Sequence, residues 1–244
     1  MKVVAFNASP RKEQGVTDRI LKLFIEGMQE AGAEVELIYL AGKKIGYCTG
    51  TFACWLQTPG VCIIKDDMTE ILVKLREADM VVYGTPVYLD GMTAQMKTLM
   101  DRSLPLLQPL IEIRDGHVRH PMRYPKRQKM VVVSTCGLTE MDNFDPMITH
   151  FKAAAKNLYM EYIGALVRPA GVLLDIVAQS QPEKVESIYN AIKRAGYEVV
   201  AEGRMSPQTM EAAAQELIPQ EAYMNQLNTV IQPLLELIER QEKA

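Results

Sequence analysis

Short apolar segments alternate with amphipathic segments along most of this chain, and that alternation constrains the fold more than any other feature. Five runs rich in β-branched and apolar residues are typical of buried strands, and they lie at residues 2–6, 35–40, 80–83, 130–134 and about 165–173. Strands that are separated by helices pair in parallel through right-handed crossovers, which cover both faces of the sheet. The pattern therefore predicts an α/β protein.

Apolar residues at helical spacing occupy the intervals between these strands. They predict helices at residues 20–31, ending near Gly32, and at residues 68–75, 96–100, 146–162 and 183–195, the last ending at Gly196. Residues 103–127 are expected to form a long irregular excursion. Five strands with these helices indicate a doubly wound five-stranded parallel sheet of the flavodoxin-like type, with helices on both faces.

A second apolar pattern lies beyond the fifth strand, in a C-terminal helical extension. Its apolar residues recur at helical spacing and are Tyr223, Leu227, Val230, Ile231, Leu234, Leu235 and Ile238. We expect a main domain at residues 1–200 and the extension at residues 201–244. The apolar stripe packs either on its own domain or on a second subunit, and the sequence leaves both open.

The overall composition argues against several classes of partner. Of the 244 residues, 48% are hydrophobic and 23% are charged, and the net charge is −3. A chain with this balance can bury a core and has no global attraction for nucleic acid or anionic membranes. No signal peptide is visible at the start, so we expect a cytoplasmic protein.

The first loop after a strand carries the groups that a phosphate needs. Residues 7–17 join the first strand to the first helix, where helix N–H groups and the helix dipole favour an anion. Ser9 and Thr17 offer hydroxyl groups, Arg11 offers a charged fork, and Gly15 permits close backbone approach. An ordinary polar turn with a capping threonine is the alternative. Neither the Rossmann nor the Walker glycine pattern is present.

Three segments together resemble one known family. The first loop is similar to the GSPRK-x-GNT phosphate loop of the NADPH-dependent FMN reductase and iron–sulfur flavoprotein group. Residues 85–102 resemble its SPVYW…QLK…DR segment, and residues 54–68 resemble its CW…C-x-x-KDDM stretch. The resemblance extends over residues 1 to about 175, with the three segments in the family's order.

The resemblance implies an FMN site and gives roles to named residues. It places the FMN phosphate at Ser9, Arg11, Val16 and Thr17. It places the isoalloxazine between Pro86, Val87, Tyr88 and Leu89 on one side and Thr135, Cys136 and Gly137 at the other edge. Val16 replaces an asparagine that is common in the family, and Leu89 replaces its usual tryptophan. No catalytic side chain is assigned, because hydride passes between two cofactors.

Three cysteines in one loop bear on the subclass. Cys48, Cys54 and Cys62 lie where iron–sulfur flavoproteins carry four cysteines, and Thr51 stands at the position of the remaining one. Because a [4Fe–4S] cluster normally takes four thiolates, we expect no cluster and no other metal. Reduced structural thiols are favoured, and a redox pair of Cys54 and Cys62 stays open.

A basic stretch follows in the expected long excursion. Residues 114–129 carry many Arg, Lys and His residues and form either a lid that attracts NAD(P)H phosphates or a solvated loop.

The resemblance implies an enzyme that takes hydride from NAD(P)H and passes electrons to a flavin, quinone or other acceptor. The alternatives are a flavodoxin-like electron-transfer protein and an iron–sulfur flavoprotein without NAD(P)H turnover. We expect a homodimer or a higher homo-oligomer.

Overall fold

Five parallel strands form the central sheet in a computed structural model that describes residues 1–242. The strand order is β2–β1–β3–β6–β7, and two further strands make a separate antiparallel hairpin. The strands are β1 (Lys2–Asn7), β2 (Glu34–Tyr39), β3 (Met80–Pro86), β4 (Glu112–Arg114), β5 (His117–Arg119), β6 (Gln128–Thr135) and β7 (Met160–Arg168). This order confirms the predicted flavodoxin-like doubly wound sheet, because the chain reverses direction across the sheet after β2.

Helices cover both faces of the sheet, as predicted. They are α1 (Val16–Glu30), α2 (Ala53–Leu56), α3 (Met68–Glu77), α4 (Ala94–Asp101), α5 (Asp145–Asn157), α6 (Leu174–Ser180), α7 (Pro182–Ala201), α8 (Pro207–Ala214) and α9 (Gln220–Glu242). Alternate residues of β1 point to opposite faces, so Val3 and Ala5 join the core under α1 and α7. Val4 and Phe6 join the core under α3, α4 and α5.

The fifth strand of the sheet begins earlier than the sequence indicated. It spans Met160–Arg168, so the prediction of helix to residue 162 and strand over residues 165–173 was wrong at both boundaries. Helix α5 ends at Asn157 because Tyr159 takes a left-handed conformation with φ 58°, which turns the chain into the strand. The strand ends before Pro169, which has no N–H for the sheet.

Helix α7 continues through Gly196, where the sequence suggested an end. The glycine serves helix packing, because a Cβ placed there would lie 1.9 Å from the carbonyl oxygen of Phe24. The opposing glycine on α1, Gly27, has the same role, since its Cβ would lie 1.8 Å from the carbonyl oxygen of Lys193. Two glycines therefore allow α1 and α7 to cross almost backbone to backbone.

Residues 103–127 are less irregular than expected, since they contain the β4–β5 hairpin. Arg114 donates to the carbonyl oxygen of Lys156, and Arg119 donates to Asn157 Oδ1. These contacts fix the hairpin against the end of α5, beside the amino end of β7. Ligands in such folds bind at the carboxyl ends of the strands, so this position favours the solvated loop over a lid.

Part of the C-terminal extension packs on the sheet domain, and the rest does not. Arg168 is buried and donates to the carbonyl oxygens of Ala213 and Gln215, each at 2.8 Å, so it caps the end of α8. Burial lowers the pKa of Arg168 to about 10. The core reaches Tyr223, after which the apolar side chains of α9 are exposed. Over residues 1–242, no helix has the length and hydrophobicity needed to cross a membrane.

Candidate functional site

Three loops at the carboxyl ends of β1, β3 and β6 form the candidate site. The first follows β1 and contains Ser9, whose side chain is buried, and a single 3₁₀ turn at Lys12–Gln14. Helix α1 then begins at Val16, and no side chain caps its start. The first N–H groups of a helix have no partner within it, so this uncapped start can receive an anion.

A buried hydrogen-bond network shapes this first loop. Asn7 Oδ1 accepts a hydrogen bond from the Ser9 amide at 2.9 Å, and Asn7 Nδ2 donates to Asp18 Oδ1 at 2.9 Å. Asp18 also accepts from the Tyr39 hydroxyl at 2.8 Å and pairs with Lys22 at 2.8 Å. Lys22 therefore balances the charge of Asp18, and the carboxylate is occupied by hydrogen bonds within the protein. This reduces its repulsion of a phosphate in the loop.

Gly15 lies so close to Ser9 that a larger residue would disturb the loop. A Cβ on Gly15 would be 2.6 Å from Ser9 Oγ, which is shorter than any ordinary contact of that kind. Arg11 lies at the exposed rim of the same loop, and its side chain donates to the Gln14 carbonyl at 3.0 Å. The guanidinium keeps further donors that can reach a phosphate.

The second loop follows β3 and presents apolar side chains to solvent. Tyr88 and Gly91 exchange backbone hydrogen bonds of 2.9 and 3.1 Å around a tight turn. Leu89 and Asp90, the two central residues, have φ values of 46° and 58°, as in a type I′ turn. The Leu89 side chain is fully exposed, and that of Tyr88 is half exposed. This turn places an apolar surface beside the first loop.

Direct hydrogen bonds tie the three loops to one another. Thr93 Oγ1 donates to the carbonyl oxygen of Ala8 at 3.0 Å, which joins the second loop to the first. The amide of Val87 donates to the carbonyl oxygen of Thr135 at 2.8 Å. Thr17 Oγ1 and Thr135 Oγ1 lie 2.7 Å apart, which joins the third loop to the first. The loops therefore form one fixed rim.

The third loop is held mostly by its own contacts. The Cys136 amide donates to the Arg168 carbonyl at 3.1 Å, so this N–H is already used. Cys136 Sγ accepts from the Leu138 amide, and burial raises the pKa of this thiol. Gly137 is exposed, and its carbonyl oxygen accepts from the Tyr223 hydroxyl at 2.6 Å. The open surface of this loop is thus at Gly137.

The structure gathers the residues proposed from sequence at this rim. They are Ser9, Arg11, Gly15, Val16, Thr17, Pro86, Val87, Tyr88, Leu89, Thr135, Cys136 and Gly137. Sequence reasoning missed four residues that hold the loops in place, namely Asn7, Asp18, Thr93 and Tyr223. A polar residue at the end of a buried strand was the available signal for Asn7. No local signal indicated Tyr223, because its hydrogen-bond partner, Gly137, lies 86 residues away in the sequence.

The loop with three cysteines lacks the fourth cysteine that a [4Fe–4S] cluster normally takes. Thr51, at the position of the remaining cysteine, has its hydroxyl engaged by the Ala53 amide at 3.4 Å. Burial, followed by the neighbouring Cys62 and Cys48, raises the pKa of Cys54. Within residues 1–242, no three His, Cys, Asp or Glu side chains are grouped as ligands for a metal ion.

The architecture and the three-loop rim define a flavodoxin-like α/β protein. Residues 1–136 match the family described as NADPH-dependent FMN reductase, and the chain belongs to that family. An iron–sulfur flavoprotein of Methanocaldococcus jannaschii is 44% identical over 106 residues, or 43% of this chain and 53% of the relative. An iron–sulfur flavoprotein of Archaeoglobus fulgidus is 41% identical over 105 residues, which are 43% of this chain and 46% of that relative. The chain thus covers about half the length of these relatives.

Solved structures support the fold over a larger part of the chain. An FMN-dependent NADH-azoreductase from Bacillus anthracis, in complex with FMN, has a TM-score of 0.60 at 18% identity. That similarity covers 82% of this chain and 99% of the azoreductase. An NAD(P)H:quinone oxidoreductase from Methanothermobacter marburgensis has a TM-score of 0.61 at 17% identity. That similarity covers 82% of this chain and 96% of the oxidoreductase. At such identities the similarity concerns the fold.

Proposed function

We propose that this protein binds FMN on the three-loop rim and acts as an NAD(P)H-dependent FMN oxidoreductase. The observation that carries the proposal is the convergence of a phosphate-type loop, an exposed apolar turn and an open glycine at one edge of the sheet. The hydrogen bond between Thr17 and Thr135 joins two of these parts. Membership of the FMN reductase family supports the same cofactor.

The first loop supplies the groups for the FMN phosphate. The uncapped start of α1 offers the Val16 and Thr17 amides, and Arg11 at the exposed rim offers a charged donor. Ser9 sits at the base of the loop with Gly15 packed against its hydroxyl. A phosphate here is met by positive partial charges, while the nearby carboxylate of Asp18 is already paired with Lys22.

The other two loops supply the surroundings for the flavin ring. When bound, FMN would supply hydride acceptance and one- or two-electron transfer at these loops. Tyr88 and Leu89 present exposed apolar surface that can exclude water from one side of a flat ring. Gly137 leaves open space at the other loop, since nothing lies within 4 Å of a Cβ placed there. These residues bind and orient, and none of them needs to move a proton during hydride transfer.

A one-electron carrier or an iron–sulfur flavoprotein is the competing proposal. The names of the relatives from M. jannaschii and A. fulgidus favour the second of these. Thr51, at the position of the fourth cysteine, speaks against a cluster in this chain. Thr51 does not exclude a carrier that exchanges electrons with another protein, so the test must separate a carrier from an enzyme.

Anaerobic addition of NADPH or NADH to the FMN-loaded protein makes that separation. We expect rapid loss of the flavin absorbance with at least one donor and its return when free flavin or a quinone is added. The faster donor defines the nucleotide preference. A flavin that stays oxidised with both donors, yet is bleached by dithionite, would reject the NAD(P)H-dependent reaction and favour the carrier. Dithionite thereby serves as the control for a competent flavin.

A further inference from the structure

The outer part of helix α9 is an apolar surface that the protein's own core leaves uncovered. Tyr223, near its start, is buried, but the following apolar residues have 40–63% of their surface exposed. They are Met224, Leu227, Val230, Ile231, Leu234, Leu235, Leu237 and Ile238. Contact with its own domain, one of the two alternatives for this stripe, therefore ends near residue 223. An apolar surface of this kind in a helix marks an interaction site.

The spacing of these residues is that of a helix-pairing seam. Met224, Ile231 and Ile238 repeat every seven residues, and Leu227 and Leu234 fall three residues after the first two of them. This is the alternating three- and four-residue spacing by which two helices wind around each other. The flanking apolar residues Val230, Leu235 and Leu237 widen the seam, so more than one neighbouring helix can pack on it.

The helix also needs a partner for its own stability. Pro233 lies inside it and cannot donate to the carbonyl oxygen four residues earlier. Most helices in proteins owe their stability mainly to the burial of one face against other elements. The proline lies on the polar face, away from the seam, so it leaves the apolar face free for packing.

We propose that α9 pairs with α9 of a second copy of this chain. A seam that repeats every seven residues is complementary to another helix of the same repeat, and a two-fold axis brings identical surfaces together. Residues 224–242 form a rod roughly 28 Å long and 10–12 Å across, and half of its side surface is roughly 500 Å². Two copies together bury roughly 1,000 Å², about the smallest area expected of a biological interface.

Charge favours a second copy over a lipid surface as the occupant. The polar face of α9 carries Glu221, Glu236 and Glu239 against Arg240. Helices that lie on anionic membranes are rich in Lys and Arg on that face, whereas this one is acidic. The inference does not rest on the proposed FMN reaction, since it concerns a surface beyond the three-loop rim.

The pairing also bears on the candidate site, because α9 starts at its third loop. The Tyr223 hydroxyl donates to the Gly137 carbonyl at 2.6 Å, one residue before the exposed seam begins. The half-exposed side chain of Leu138 adjoins the same loop. A second copy paired with α9 therefore lies close to the rim on which FMN is proposed to bind. Contact with Leu138 adds to the apolar area that the second copy covers.

Sedimentation velocity of the 244-residue protein at micromolar concentration tests the pairing. We expect a mass of twice the 27.4 kDa chain or a higher even multiple. The double variant Ile231→Glu/Leu234→Glu places two charges in the seam and should raise the dissociation constant at least about 100-fold. The matched variant Thr229→Glu/Gln232→Glu adds the same two charges to the polar face and should keep the wild-type mass.

Three results would overturn the proposal. They are a monomeric wild-type protein, a seam variant that keeps the wild-type mass, and a monomer that binds vesicles of anionic lipid, which would assign the helix to a membrane surface. Thermal unfolding of both variants, followed by circular dichroism, shows whether the sheet domain is intact. We expect an intact sheet domain in both variants, because the substituted side chains are exposed in a single copy.

Discussion

Thr17 Oγ1 and Thr135 Oγ1 lie 2.7 Å apart, in a buried contact between the first turn of α1 and the end of β6. Thr135→Val should leave the Thr17 hydroxyl without a partner, at a cost of about 1–3 kcal/mol in the free energy of unfolding. Denaturant titration of the FMN-free protein measures that cost. The double variant Thr17→Val/Thr135→Val should lose less than the sum of the two single variants. Additive losses would show that the two hydroxyls act independently.

Gly137→Ala separates flavin binding from folding. A Cβ at this position has nothing within 4 Å, and the backbone of Gly137 is not left-handed, so the stability of the FMN-free protein should be nearly unchanged. If the flavin edge lies against this loop, the added methyl group should weaken FMN binding by about 10-fold, which corresponds to about 1.4 kcal/mol. Fluorescence titration with FMN measures the effect. Unchanged affinity would place the flavin edge elsewhere on the rim.

The ion pair of Asp66 and Arg102 should stabilise the cysteine-containing loop in a pH-dependent way. Arg102 is buried, and its guanidinium contacts Asp66 at 2.7 Å. Burial alone would raise the pKa of Asp66, but hydrogen bonds from Arg102 and from the Gly46 and Met68 amides outweigh burial and lower it. A lowered pKa contributes stability that is present above the unfolded value of about 4 and is lost as the pH falls through the folded value.

Asp66→Asn removes that contribution and leaves the Arg102 charge buried without its partner. We expect a loss of about 3 kcal/mol at neutral pH and a weaker dependence of stability on acid. Asp101→Asn, which breaks the exposed pair with Lys97, should cost less than about 1 kcal/mol and serves as the control. Equal losses in the two variants, measured by urea unfolding across pH, would contradict the account.

The crossing of α1 and α7 should not tolerate a side chain at Gly196. Its Cβ would lie 1.9 Å from the Phe24 carbonyl oxygen, which forces the helices apart. Gly196→Ala should therefore destabilise the protein by about 1–3 kcal/mol or more, despite the higher helix propensity of alanine. The same substitution at the open position Gly137 is the matched control. A variant as stable as wild type would mean that the two helices can separate at little cost.

The sheet order was predictable from the sequence because strands covered on both faces are continuously apolar and stand out between amphipathic helices. The boundary near Met160 was not, since it depends on the left-handed turn at Tyr159, a residue type without that preference. Gly196 was misread for a related reason. A helix-ending glycine and a helix-crossing glycine look alike until the facing backbone is known.

The first loop of the site was predictable because its residues are contiguous and resemble a family motif. Its supporting network was not, because Asp18 in a first helical turn has an ordinary local explanation in the helix dipole. The contact of Tyr223 with Gly137 depends on how the C-terminal extension returns to the sheet. A pattern within either segment alone contains no information about that return.

Residues 9–17 are proposed to hold the phosphate of FMN, and a comparison of FMN with riboflavin tests that role. Riboflavin has the same ring without the phosphate, so the ratio of the two dissociation constants isolates the loop. We predict that wild type binds FMN at least about 100-fold more tightly than riboflavin. Gly15→Ala, which crowds Ser9 Oγ, should reduce that ratio towards one while riboflavin binding stays. Equal affinity of the wild-type protein for FMN and riboflavin would contradict the claim.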